Sequence, residues 1–339
     1  MLKEIKSQVI IKLILSNLKK EKKLKLLKVN KHWMTKLNIR IQDFEEQYKL
    51  KNLNKKFNLN IDNPNIEKLD LSNKKINNEI FQYLNKELFK ELKYLDLSNN
   101  LIGNIKGDEL SKINNLEILN LNSNDISDID TIEKIKFKEL KTLNLIKNSL
   151  HNITFLARVE FEKLENLYLK VNWIENIDIL EFADLKHLKK MNLGYNKISD
   201  IKILEKVNFE KLEVLNLNGN KINDINILEK VNFKELKELY LGYNDINDIE
   251  VFEKVNFKKL KKLDLTKNRI TNIIVLQKVD FKELKELDLK ANKIKDIKVL
   301  IGVNFEKLEN LNLFGNLIDK EKERMTINYL KRKIPKLFI

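Results

Sequence analysis

One spacing constrains this chain more than any other feature: an asparagine recurs every 24 residues through most of its length. The asparagines in this phase are Asn100, Asn124, Asn148, Asn172, Asn196, Asn220, Asn244, Asn268, Asn292 and Asn316. A leucine stands three places before each of them, from Leu97 to Leu313, and an aliphatic residue stands two places after, from Ile102 to Ile318. Such locked registers indicate a repeat architecture, which has to be settled before any other element is assigned.

The repeat unit reads L-x-x-L-x-L-x-x-N-x-I, and residues 236–246 are a clean copy of it. Its L-x-L pair has the period of a strand, so both leucines point to one face, and parallel copies would stack into one core. A further register holds Phe137, Phe161, Phe209, Phe233, Phe257, Phe281 and Phe305, with Leu185 in the single gap.

This unit resembles the leucine-rich repeat family over about residues 66–339. The resemblance implies an α/β solenoid: a curved leucine-rich-repeat horseshoe of about eleven 24-residue repeats with a parallel concave sheet. It also implies that the repeated asparagines bond backbone groups of the neighbouring turn as a ladder, and that the phenylalanines form a spine behind the sheet. We expect only one or two helical turns on the convex side of each coil.

The two ends of the repeat region depart from the pattern. In the first repeat Lys74 takes the asparagine position, and the following segment, residues 79–92, has a helical pattern. After Asn316 comes a charged run that contains Tyr329 and ends at Pro335-Lys336-Leu337. This run is similar to the C-terminal cap of intracellular leucine-rich repeat proteins, so residues 318–339 are expected to cover the last coil.

Residues 1–56 lack the repeat and form a basic N-terminal segment with a net charge of +11, and the apolar spacing there predicts two or three short amphipathic helices. The spacing of six residues resembles the F-box motif: Ile14, Leu15, Leu18, Leu27, Val29 and Trp33. The usual Leu-Pro at its start is missing, and a lysine-rich run occupies its spacer. The alternatives are a helical cap that shields the first coil, or a basic surface for membranes or nucleic acid.

Three domains follow: residues 1–56, the repeats over 57–317, and the cap over 318–339. Residues 318–339 carry a net charge of +4, so the repeat body over 57–317 is neutral. A neutral body argues against nucleic acid as its ligand, because binding to the phosphate backbone needs clustered positive charge.

The sequence gives no support for catalysis. It has no cysteine and three scattered histidines, and it lacks the metalloprotease, nucleophile-elbow and phosphate-loop motifs. Carboxylates such as Asp200, Asp224 and Asp248 follow the repeat, as turn residues would. We therefore expect a non-enzymatic protein without metal, cofactor or small-molecule substrate. The composition favours an intracellular protein, cytoplasmic or nuclear, without a transmembrane segment.

Function is then expected on the concave face, where the side chains between the leucines point to solvent. Aromatic residues concentrate in the middle repeats: Tyr168, Trp173, Tyr195, Tyr240 and Tyr243. Exposed aromatics with polar neighbours are typical of binding hot spots. Gly194 and Gly242, each next to a tyrosine, would let a partner approach closely.

Three functions fit this pattern. The leading hypothesis is a scaffold that binds a protein partner on the concave face. The F-box resemblance implies an alternative, in which residues 1–56 dock a ubiquitin-ligase adaptor and the repeats present the substrate of a cullin-RING ligase. A phosphatase-regulating scaffold is a third, although that family usually has 22-residue repeats.

Overall fold

The computed structural model describes residues 22, 41–85, 87–130, 135–303 and 305–339. These residues fall into two compact units: those within 1–65 and 83–90, and those within 66–82 and 91–339. The F-box-like residues 14–33, apart from Lys22, lie outside the described residues. The resemblance of this segment to the F-box therefore stays a prediction.

Within the first unit, helix α1 (Ile41–Phe57) buries Leu50 and Leu53. Residues of the 83–90 segment pack in the same unit, where the rings of Phe57 and Tyr83 meet edge to face at 6.1 Å. Two surface ion pairs join helix and segment, Lys49 to Glu87 at 2.9 Å and Lys90 to Glu46 at 2.8 Å. The helix is thus held by apolar packing, with the exposed pairs adding little.

The second unit is built on one parallel sheet of twelve short strands. Eleven of them each come from one repeat: β1 (Lys68–Asp70), β2 (Tyr94–Asp96), β4 (Ile118–Asn120), β7 (Thr142–Asn144), β9 (Asn166–Tyr168), β10 (Lys190–Asn192), β11 (Val214–Asn216), β12 (Glu238–Tyr240), β13 (Lys262–Asp264), β14 (Glu286–Asp288) and β15 (Asn310–Asn312). Each strand pairs in register with its equivalent one repeat away, for example Leu215 with Leu239. The predicted solenoid of about eleven repeats is confirmed.

The core lies directly behind the sheet and is continuous from coil to coil. In the eleven repeat strands the central residue and the leucine two places later are buried, as at Leu239 and Leu241. The aliphatic residue two places after the asparagine is fully buried from Ile102 to Ile294. The repeated phenylalanines stack behind them, with rings 5.8 Å apart for Phe137 and Phe161 and 6.3 Å apart for Phe209 and Phe233. Each coil therefore completes the core of the next.

The side of the coil away from the main sheet is built from short 3-10 helices. These are Asn78–Gln82, Thr154–Ala157, Asp178–Phe182, Lys202–Glu205, Asn226–Glu229, Glu250–Glu253, Ile274–Gln277 and Lys298–Gly302. Many start at an Asx turn: Asp200 accepts a hydrogen bond from the backbone N–H of Lys202 at 2.8 Å, and Asp248 accepts one from that of Glu250. The expected helical turns are present, in the tighter 3-10 form that a short segment favours.

Two small parallel ladders and one short helix complete this side. Strand β3 (Ile105–Lys106) pairs with β5 (Ile129–Asp130), and β6 (Ile135–Phe137) pairs with β8 (Val159–Phe161). Helix α2 (Gly107–Ser111) follows β3.

The helix predicted over residues 79–92 is mostly absent: beyond the 3-10 helix Asn78–Gln82, the described residues there form turns. The amide oxygen of Asn85 accepts the backbone N–H groups of Glu87 and Leu88 at 3.1 and 3.0 Å. Such local bonds compete with helix formation.

At the C-terminal end, helix α3 (Arg324–Lys333) buries Thr326, Ile327 and Leu330. The chain then adds one more strand, β16 (Lys336–Phe338), which pairs with β15 so that Leu337 lies beside Leu311. The pattern predicted a helical cap. It did not predict that the residues after Pro335 extend the sheet.

Alternating charges run along the outside of the coils. Lysine and glutamate pair between adjacent repeats as Lys141 with Glu117, Lys189 with Glu165, and Lys237 with Glu213. A second row pairs Lys163 with Glu139 and Lys259 with Glu235. In the first row the sign alternates from Lys93 to Lys237, and in the second it alternates from Glu235 to Lys307.

Candidate functional site

The repeated asparagines occupy a structural position. Asn220, 8% exposed, donates from its amide to the carbonyl oxygens of Leu193 and Leu217 at 3.0 and 2.9 Å, and its amide oxygen accepts the backbone N–H of Ile198 at 3.0 Å. The same three partners recur, shifted by one repeat, at Asn244. Each asparagine thus satisfies backbone groups of two coils where the chain leaves the strand.

The residue before each asparagine has a left-handed backbone. Its φ is positive at Asn99, Ser123, Lys147, Val171, Tyr195, Gly219, Tyr243, Lys267, Ala291 and Gly315. This conformation turns the chain at the end of each strand and is unfavourable for most residues. Side chains at this position therefore stand in one row at the end of the sheet, and we name them the strand-end row.

The five predicted aromatic residues divide between two places. Tyr168 and Tyr240 end strands β9 and β12, and both are half-buried on the sheet face. Tyr195 and Tyr243, 44% and 42% exposed, belong to the strand-end row, and Trp173, 49% exposed, follows Asn172 just beyond it. The most accessible rings are thus at the strand ends, although all five had been assigned to one face.

Tyr240 is engaged within the sheet face. Its hydroxyl donates to the carboxylate of Glu238 at 2.6 Å, and Lys262 lies over its ring at 5.6 Å. Burial, followed by the bond to Glu238, raises the pKa of Tyr240 well above the ordinary tyrosine value. The phenol therefore stays protonated and acts as a donor fixed to its own strand.

Tyr195 and Tyr243 come together although they are two repeats apart. Their ring centroids are 6.2 Å apart, tilted by 45°. Gly219 stands between them in the strand-end row, and a Cβ there would lie 2.7 Å from the Cδ1 atom of Tyr195. Gly219 is therefore needed for the close approach of the ring as well as for its own φ of +68°.

Lysine side chains cover these rings. Lys170 lies 5.0 Å from the ring centre of Tyr195, Lys267 lies 4.7 Å from that of Tyr243, and Lys197 lies 4.8 Å from that of Trp173. Each distance is within the range of an attractive cation–π contact. Trp173 also stacks on His151 at 6.5 Å between ring centres.

A shallow groove of about 560 Å³ runs along the same edge. Its lining includes Lys147, Val171, Trp173, Tyr195 and Lys197. We name the edge formed by Lys147, Lys170, Trp173, Tyr195, Lys197, Tyr243 and Lys267 the aromatic–lysine strip. These lysines were not identified from the sequence. Aligning the repeats would have found most of them, because Lys197 and Lys267 occupy the same register as Trp173 and Tyr243 one repeat away.

The two glycines expected to open the surface to a partner do not do so. Gly194 and Gly242 are both buried. A Cβ at Gly194 would lie 2.9 Å from the Oδ1 atom of Asn216, and one at Gly242 would lie 3.0 Å from that of Asp264. Side chains of the adjacent coils fill this space: Asn218 of the preceding coil reaches across Gly242 to donate to Asp264 of the following coil at 3.0 Å.

Across the described part of the chain, no group of three or more histidine or acidic side chains is placed to hold a metal ion. Among the helices of the same residues, none is long and apolar enough to cross a membrane.

Comparisons with known proteins agree with this architecture. Two family models match, both of leucine-rich repeats: one over residues 162–222 and 258–318, the other, of two-copy repeats, over residues 90–134 and 234–278. Together they cover more than half of the chain. No curated protein matches the sequence significantly.

Solved structures share the fold at low sequence identity. An internalin from Listeria monocytogenes matches with a TM-score of 0.60 and 24% identity, covering 81% of this chain and 80% of its own. A leucine-rich repeat protein of Leptospira interrogans matches with a TM-score of 0.52 and 22% identity, covering 81% and 90%. The Arabidopsis receptor kinase HAESA, solved with a peptide hormone and a co-receptor, matches with a TM-score of 0.56 and 24% identity, covering 75% of this chain and 43% of its own. With its repeats, its sheet and its asparagine ladder, the chain belongs to the leucine-rich repeat proteins.

Proposed function

We propose that this protein is a non-enzymatic scaffold that binds a protein partner across the sheet face and the aromatic–lysine strip. The observation that carries the proposal is the grouping of Trp173, Tyr195 and Tyr243, each more than 40% exposed, within four successive coils. Large exposed rings of this kind supply most of the energy at protein interfaces. Phe182, on a 3-10 helix, is also exposed, but its ring contacts no other aromatic ring among the described residues.

The binding mechanism is preorganisation. Stacked coils fix the backbone beneath each ring, and the lysines and Gly219 restrict how the rings turn. A partner therefore orders few side chains when it binds, and less of the interaction energy is lost to conformational entropy. Tyr168 and Tyr240, half-buried on the adjoining strands, would extend the contact toward the sheet face.

The proposal predicts that replacing Tyr195 and Tyr243 together with alanine reduces partner recovery at least about tenfold, since hot-spot rings contribute about 2 kcal/mol or more each. The measurement is affinity purification with the full chain as bait, followed by quantitative mass spectrometry. Phe182→Ala is the matched control, because Phe182 is 68% exposed and lies away from the strip. Equal recovery by wild type and the double variant, with unchanged folding, would contradict the proposal.

An F-box-type receptor is the second candidate, favoured by the spacing of Ile14, Leu18 and Trp33. In the same purification, the full chain would then recover a ligase adaptor and a cullin. The variant Leu18→Asp with Trp33→Ala should no longer recover the adaptor and the cullin, but should still recover the partner that the repeats bind. Absence of ligase components from the wild-type sample would remove this candidate.

The intracellular location predicted from composition also stays a prediction.

A further inference from the structure

We propose that the aromatic–lysine strip recognises an acidic segment of the partner, a stretch rich in aspartate and glutamate. The inference rests on the proposed function and specifies the chemistry of its ligand. Its basis is the local charge, which differs from that of the repeat body as a whole.

The strip concentrates lysines that have no carboxylate partner. Among the described residues, Lys147, Lys170 and Lys267 form no ion pair. Other surface lysines do pair with the adjacent repeat, as Lys189 does with Glu165 at 2.9 Å. Only Lys197 of the strip is paired, with Glu175 at 3.3 Å. In a repeat body whose formal charges cancel, this edge therefore carries a local positive excess.

The arrangement of rings and cations favours carboxylates over nucleic-acid bases. Bases bind by stacking on open aromatic faces. Here Lys170 and Lys267 already lie over the faces of Tyr195 and Tyr243 at 5.0 and 4.7 Å. An ammonium group held on a ring keeps its charge and has N–H donors directed away from the ring. A carboxylate can accept those donors without displacing the lysine.

The length of the strip sets the minimum size of the segment. From Lys147 to Lys267 the strip crosses five steps between adjacent coils. At roughly 4.8 Å per step this is about 24 Å, the length of about seven residues of extended chain. The recognised segment should therefore contain at least about seven residues, with several carboxylates among them.

The test measures direct binding to the full chain by fluorescence anisotropy. The probe is a labelled dodecapeptide of alternating glutamate and threonine, compared with its glutamine–threonine counterpart and with a dodecathymidylate. We expect the glutamate peptide to bind at least about tenfold more tightly than the other two, and its affinity to fall with added salt. Absence of binding, equal binding of the glutamine peptide, or tighter binding of the oligonucleotide would overturn the proposal.

Substitutions locate the binding on the strip. Lys170→Glu with Lys267→Glu should lower the affinity for the glutamate peptide at least about tenfold, because two attractions become repulsions. Lys170→Arg with Lys267→Arg should bind as wild type does, since arginine keeps both the charge and the cation–π contact. The matched control is Lys234→Glu with Lys258→Glu, an equal change in charge at exposed lysines that precede strands β12 and β13. Thermal melting shows that each variant is folded.

The two proposals can fail separately. If the tyrosine double variant loses its partner while the lysine double variant keeps both the partner and the peptide, the scaffold function stands and the acidic-segment proposal is wrong. If the tyrosine variant keeps its partner, the scaffold proposal itself is wrong.

Discussion

Replacing Phe233 with alanine should lower the free energy of unfolding by about 3–5 kcal/mol, the range measured for large-to-small changes in protein cores. Phe233 is 1% exposed, and its ring stacks on Phe209 at 6.3 Å. Because each coil buries the apolar side of its neighbours, a cavity at this position removes contacts from two interfaces. Urea denaturation followed by circular dichroism measures the effect.

The control for this prediction is Phe314→Ala. Phe314 is 57% exposed and contacts Lys290 at 5.9 Å, so its loss should cost about 0.5 kcal/mol. If the two variants unfold at the same urea concentration, the phenylalanine spine is not an important source of stability.

Asn220→Ala should lower the free energy of unfolding by about 2 kcal/mol, since a buried polar group left without a partner costs about 1–3 kcal/mol. The substitution leaves the buried N–H of Ile198 without its acceptor. The carbonyl groups of Leu193 and Leu217 each lose one donor and keep the amides of Asn196 and Asn244. Apolar packing is hardly changed, so the loss would come almost entirely from hydrogen bonding. The measurement is again urea denaturation.

Asn226→Ala removes the same side chain from an exposed position on a 3-10 helix and serves as the control for Asn220. Its effect should stay within about 0.5 kcal/mol. Similar midpoints for the two variants would show that the ladder is dispensable and that apolar stacking alone holds the coils together.

The sequence predicted the parts of the fold that depend on one residue type at a fixed spacing. Asn220 and Leu239 could be placed because every coil repeats their surroundings, so one copy defines the others. The sheet, its parallel direction and its register follow from the 24-residue period. Strand β16 lies outside that period, and nothing in residues 336–338 alone indicates that they would extend the sheet.

The candidate site was only partly predictable, because it depends on departures from the repeat. The sequence drew attention to Tyr195 and Tyr243 but could not show that they meet across Gly219. That contact depends on ring rotation at a left-handed backbone position. Glycines next to the tyrosines suggested an open surface, whereas Asn216 and Asp264 fill the space. The exposure of these glycines and the contact of the two rings depend on side chains that cross between coils. The 24-residue period alone does not specify those side chains.

The alternation of lysine and glutamate along the coils restricts how such a chain can change its length. Removing a single coil would bring Lys141 against Lys189, two like charges, whereas removing two would bring Lys141 against Glu213. Between Lys93 and Lys237, the stretch of chain that can be duplicated or deleted without a charge conflict in this row is therefore a pair of coils. In this part of the chain the 24-residue repeat is the structural unit, and a block of twice that length is the period of the surface charge.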